Sequence, residues 1–323
     1  MSPRPRRGVG GAAPTLLALV LVGLGPLVIA RQDRLNLGVV FFLAVALAQS
    51  WNVMGGLTGQ VNLGHAAFFG LGALVTRQLW GGGAPIAPAA LAGSAVAAAA
   101  GLVIGVAAFR LRGAYFAIGT LAVGEGLRIV IGNLFPEVST LPAPAIVGYR
   151  LTHRYAAAAV LALLATTVVA ALEGSRLGLA MAAIREDEAA AEASGVSAFR
   201  TKLAAVAIST ALAGLAGALF AFYQISYYPQ HPFSPTWTFD AVLITFIGGV
   251  GTVQGPVLGA ALLVLLRDYL TVQWVDVHLL VFGVLFVAIV LLLPGGLVEA
   301  AARARALRGR LRGAPAAPGI PRP

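Results

Sequence analysis

Eight separate runs of roughly twenty apolar residues decide what this chain can fold into. They stand at Ala12–Ala30, Asn36–Met54, Val61–Trp80, Ile86–Phe109, Gly113–Asn133, Tyr155–Leu172, Leu203–Gln224 and Asp276–Pro294. A helix of about 20 such residues matches the hydrocarbon thickness of a bilayer. No water is present there to satisfy a backbone N–H or C=O, so each run must bond within itself, as an α-helix does. Of the 323 residues, 59% are hydrophobic and 11% charged, against roughly a quarter charged in a soluble domain. The expected fold is therefore all-α and polytopic. A basic N-terminus (1–11) precedes one membrane domain (12–297), and a basic tail (298–323) follows it.

The formal net charge is +10, but the arginines gather at membrane borders and carry no nucleic-acid signature. Arg4, Arg6 and Arg7 precede the first run, Arg110 and Arg112 separate two runs, and Arg303, Arg305, Arg308, Arg310 and Arg312 follow the last. The positive-inside rule places all of these, and so both termini, in the cytoplasm. A basic tail beside a bilayer also favours anionic headgroups. Met1–Ala30 starts like a secretory signal, but its apolar stretch is long and further spans follow, so it reads as a retained first span. The chain has no cysteine, which excludes disulfides, thiolate metal sites and cysteine nucleophiles.

Following this path, Gly55–Gln60 falls inside, Leu134–Arg154 outside, Glu173–Lys202 inside and Ile225–Trp237 outside. A single crossing over Phe239–Leu270 would leave the arginine tail outside. The middle of that stretch reads GGVGTVQGP (Gly248–Pro256), too broken for a straight helix. Two short limbs, re-entrant or tilted, restore the tail to the cytoplasm, for about 8–10 spans in all. A second broken element lies at Gly55–Gly72, GGLTGQVNLGHAAFFGLG. Paired Gly/Pro-interrupted segments in the two halves of a transporter mark its translocation path. Gln60, Asn62 and His65 make a polar patch there, with Ser50 and Asn52 nearby. They can contact a solute or satisfy unwound backbone, and unwound backbone at membrane depth survives only when buried in protein or lining a cavity. Phe68 and Phe69 beside them are open to three readings: a pocket for an aliphatic group, a lipid face or core.

Glu125 and Arg128 sit three residues apart in an apolar run, on one helical face. Such groups pair within a membrane; they read as a pore-lining pair or as a structural clamp. No GxxxxGK[ST] loop is present, and the single lysine, Lys202, follows no such loop, so no ATP site is expected in this chain. The four histidines lack metal-ligand spacing and no nucleophile–base set can be assembled. Neither an enzyme nor a cofactor is expected.

Ser175–Lys202 is a charged, Ala-rich segment between two apolar runs. It predicts a helix starting at Ile184-Arg185-Glu186-Asp187-Glu188, its early acids suited to the helix dipole, with Gly195 as its C-cap. Met181, Ile184 and Val196 would give it apolar contacts for a soluble partner.

Four ordered segments then resemble the permease subunits of bacterial branched-chain amino-acid ABC importers, of the LivM type. They are GLTGQVNLGHAAFFGLGA, LRGAYFAIGTLAVGEGLRIV, AIREDEAAAEASGVSAFRTKLAAVAISTALAGLAGALFA and GGVGTVQGPVLGA, within Trp51–Leu297. The resemblance implies a type II-like importer half in a bacterial cell membrane. Such a half works with a second permease, two cytoplasmic ABC ATPases and an extracytoplasmic binding protein. It also implies an ATPase-coupling role for Arg185, Glu186, Asp187, Glu188 and Gly195. The outer loop 133–150 departs from the family pattern, lacking its Thr-Gly-Gly stretch. The implied solute is a branched-chain amino acid, with urea or short amides as alternatives, and an ATP-independent secondary transporter or channel as the rival from another class.

Overall fold

A computed structural model describes residues 12–25, 31–141, 146–273, 283–284, 287 and 295–303; the expected span Asp276–Pro294 lies almost wholly outside the described residues. The apolar runs form helices α1 (Ala12–Gly23), α2 (Gln32–Trp51), α3 (His65–Gly81), α4 (Ile86–Ala108), α5 (Ala114–Leu134) and α6 (Leu151–Glu173). Two short helices of the charged loop follow, α7 (Arg176–Glu186) and α8 (Glu188–Ala193), then α9 (Ala198–Tyr223). The expected broken span is a helical hairpin, α10 (Pro235–Gly248) and α11 (Gly255–Gln273). Two-residue strands, β1 (Ser139–Thr140) and β2 (Ser226–Tyr227), pair antiparallel.

Among the described residues, five helical segments are long and apolar enough to cross a bilayer: Gln32–Leu57, α4, α5, α6 and α9. Residues 26–30 of the expected first run lie outside the described residues; α1 covers Ala12–Gly23. At 12 residues it reaches about 18 Å, less than a full crossing. α2 is extended by a π-helical turn over Asn52–Leu57, where the missing Cβ atoms of Gly55 and Gly56 leave room for the Trp51 ring and the Asn52 side chain.

Lipid gives helices no hydrophobic reason to associate, so small residues that let backbones approach hold the bundle together. α9 runs through the centre against α3, α4 and α2. A Cβ at Gly217 would overlap the Phe69 carbonyl, and one at Gly72 would overlap the backbone of Gly214. Gly101 of α4 closes on Thr210 of α9 in the same way. α2 packs in turn on α6, α10 and α11. α1 lies along α6, where the Tyr155 hydroxyl donates to the Val22 carbonyl at 2.6 Å.

One end of the bundle gathers Val22, Asn36, Arg77, Ser139, Arg154 and the 223–227 turn. The opposite end gathers Gly56, Arg185 and Gly251.

Candidate functional site

The two broken elements, almost two hundred residues apart in sequence, lie against each other. After the π turn the chain runs unwound from Thr58 to Gly64, and side chains from several elements hold it. The Trp51 indole donates to the Asn62 carbonyl (2.8 Å), Gly64 N–H to Asn62 Oδ1 (2.8 Å) and Leu63 N–H to Thr120 Oγ1 (3.1 Å). Thr58 Oγ1 donates back to the Val53 carbonyl at 3.0 Å, and Ala66 N–H to Thr238 Oγ1 at 2.8 Å. Buried polar groups require such partners; His65 Nδ1 and Gln49 Oε1 are buried here without one.

The second break, between α10 and α11, is held from the first. Asn52 uses both ends of its amide: Nδ2 donates to the Thr252 carbonyl (3.0 Å), and Oδ1 accepts from Gly251 N–H (2.8 Å). One turn earlier, Gln49 Nε2 donates to the Val253 carbonyl at 2.8 Å. Gly251 has φ +72°, a left-handed conformation that glycine adopts without Cβ cost.

The expected patch at the first break resolves into separate roles. Asn62 and His65 are buried: Asn62 caps local backbone, and His65 Nε2 meets Ser50 Oγ at 2.7 Å. Gln60 is half-buried, its N–H bonded to the Met54 carbonyl at 2.9 Å. Phe68 and Phe69 are core residues, the latter against Phe220 and Trp237. Glu125 and Arg128 form an ion pair at 2.7 Å, each about one-third exposed. Their helix, α5, leans on the first break through Thr120 and through Gly124 against Gly64. α5 is mostly uncovered, with 22% of its apolar stretch buried against 67% for α9.

In the charged loop the single expected helix is two. α7 ends at Glu186, Asp187 turns extended (φ −157°, ψ 111°), and its carboxylate caps α8 by accepting from Ala190 N–H at 3.0 Å. An Asp that can serve as N-cap stops one helix and starts the next. Gly195 (φ +89°) closes α8 as expected, with Val196 N–H on the Ala191 carbonyl and Gly195 N–H on that of Glu192, a Schellman pattern. Glu188 pairs with Lys202 at 2.6 Å. Met181 and Ile184, expected to face a partner, are buried; the exposed apolar groups on this loop are Leu179 (68%) and Phe199 (49%), beside exposed Glu186, Asp187 and Glu192. Arg185 turns inward, and its Nη1 donates to the Gly56 carbonyl in the first break.

A family model for the permease component of branched-chain amino acid transport systems matches residues 34–290. The chain belongs to this family. It is 30% identical, over 322 aligned positions, to the high-affinity branched-chain amino acid transport system permease protein LivM of Salmonella typhimurium, covering 88% of this chain and 74% of that one. To LivM of Escherichia coli it is 31% identical over 319 positions, covering 87% and 73%. No solved structure matches.

In this branched-chain permease family member, sequence reasoning missed the two arginines that build the opposite end. Arg77 is buried and makes five hydrogen bonds: to the carbonyls of Ser139, Ala221, Gln224 and Ile225, and to Ser139 Oγ. Arg154 lies between the rings of Tyr149 (3.9 Å) and Phe222 (4.2 Å) and donates to the Phe222 carbonyl at 3.3 Å. The Tyr149 hydroxyl donates to the Tyr223 carbonyl at 3.0 Å, and burial pushes its pKa up, with Arg154 opposing. Together they satisfy the last carbonyls of α9, which have no partner within the helix. For Arg77 the available signal was a cation inside an apolar run; Arg154 stands at the border of one. Beside this cap lies a cavity of about 660 Å³, lined by Gln32, Asn36, Tyr149, Arg150, Tyr223 and Ser226 among others.

Proposed function

We propose that this chain is the membrane-spanning half of an ATP-driven importer for branched-chain amino acids. Its partners in this reading are a second, homologous permease, two cytoplasmic ABC ATPase subunits and an extracytoplasmic solute-binding protein. ATP hydrolysis belongs to those partners. The observation that carries the reading is the direct packing of a charged, solvent-type loop on two clasped helix breaks at one end of an apolar bundle.

The arginine distribution supports a reading in which that end and both termini lie in the cytoplasm of a bacterial cell. Residues Arg185–Gly195 then form the ATPase-coupling segment. The exposed groups of the loop (Leu179, Glu186, Asp187, Glu192, Phe199) supply an apolar and acidic docking face. The opposite end faces the binding protein, and the polar cavity beside Tyr149 and Arg150 receives the solute. Glu125 and Arg128 line the path: α5 leaves most of its surface for a second subunit, and an ion pair inside an apolar helix is stable against protein or water, not lipid. Gln60, half-buried at the mouth of the first break, is the one member of the patch there with polar surface to offer a passing zwitterion.

The complex, reconstituted in vesicles with its partner subunits and binding protein, should take up leucine, isoleucine or valine when supplied with ATP. Tight binding of a sugar or a metal by that binding protein, with no binding of an amino acid or amide, would overturn the assignment.

A further inference from the structure

Arg185 stands where both broken elements meet. Its Nη1 donates to the Gly56 carbonyl, and its stem lies on the unwound chain: a Cβ at Gly59 would be 3.0 Å from Arg185 Cγ and 3.4 Å from its Cα. A Cβ at Gly251 would run into the same Nη1 and lie 2.8 Å from the Gly56 carbonyl oxygen. The guanidinium is therefore lodged between the first break and the second. The placement is also electrostatic. α2 with its π turn ends at Leu57, and α10 ends at Gly248, so two helices direct their C-terminal carbonyl ends to this region. Helix C-termini carry partial negative charge, and a guanidinium remains charged in any protein environment. Asn52 already locks the two breaks together. A shift at the end of α7 thus reaches both breaks through one side chain. The joint at Asp187 separates α7, which points in at Arg185, from α8, whose flank is exposed.

We propose that Arg185 is the positioning residue that carries movement of the charged loop into both helix breaks, acting inward on backbone and not as a contact for the ATPase. The proposal rests on the importer reading above.

The test uses the full complex with leucine as solute. With Arg185→Ala, the ATPase subunits co-purify as with the unaltered chain and ATP hydrolysis stays within about twofold, while leucine taken up per ATP falls about tenfold or more. A residue that merely kept the fold would lower hydrolysis and uptake together. Arg185→Lys keeps the cation at the two helix ends but loses the fork, and gives an intermediate ratio. Loss of the ATPase subunits from the Arg185→Ala complex would overturn the proposal, and so would an unchanged ratio of uptake to hydrolysis. Should Arg185→Ala fail to accumulate, Arg185→Lys decides: a lowered ratio with ATPases bound supports the proposal, an unchanged ratio overturns it. A complex of the unaltered chain that recovers no ATPase subunit would instead sink the importer reading itself.

Discussion

The slab formed by α3, α4 and α9 and the pair of helix breaks both depend on glycine, but for opposite reasons. In the slab, Gly72, Gly214 and Gly217 sit inside regular helices, and a missing Cβ lets one backbone rest on another. Attraction there is dispersion between close surfaces, which weakens steeply with separation. In the breaks, Gly59, Gly249 and Gly251 take positive φ, and the released backbone groups are held by Asn52, Gln49 and Arg185 from elsewhere. Those are directional contacts that can be exchanged for others without opening a void. The slab is built to stay in place, and the breaks are built to be re-bonded.

The largest effect should come from the slab. Gly217→Val forces a branched side chain onto the Phe69 backbone, an overpacking cost of about 3 kcal/mol or more in a site with no room to relax. The variant should fail to accumulate in the membrane; normal yield and normal melting would remove the distinction drawn here. Asn52→Leu should do less to the fold and more to transport. It leaves Gly251 N–H and the Thr252 carbonyl without their side-chain partner, at about 1–3 kcal/mol for each buried group. The folded variant should keep its place in the complex while uptake falls about tenfold. Equal losses of melting temperature in the two variants would show that the breaks are as rigid as the slab.

Much of the fold was legible because apolar length is a local property. Span positions followed from composition to within a few residues at α2, α4 and α5, and the broken GGVGTVQGP stretch with charge parity supported two short limbs where α10 and α11 stand. The π turn after Trp51 was not legible, since nothing in NVMGGL separates it from an ordinary helix end. The split at Asp187 carried a signal that went unread: an acidic side chain three residues before Ala190, able to cap a new helix. The contacts that make the candidate site lay beyond any local reading. Arg185 meets Gly56 across 129 positions, Asn52 meets Gly251 across 199, and Arg77 reaches Ile225 across 148. A sequence shows that Arg77 is a cation in an apolar run; only the fold shows that it binds the end of α9.

Everything claimed for the breaks requires the Arg185 end of the bundle to be the cytoplasmic one that meets the ATPase. The chain has no native cysteine, so a single Ala190→Cys substitution on the exposed flank of α8 reports directly. A membrane-impermeant thiol reagent should leave it unlabelled in intact cells and label it in inside-out vesicles, with protection when the ATPase subunits are bound. Labelling in intact cells would contradict the account.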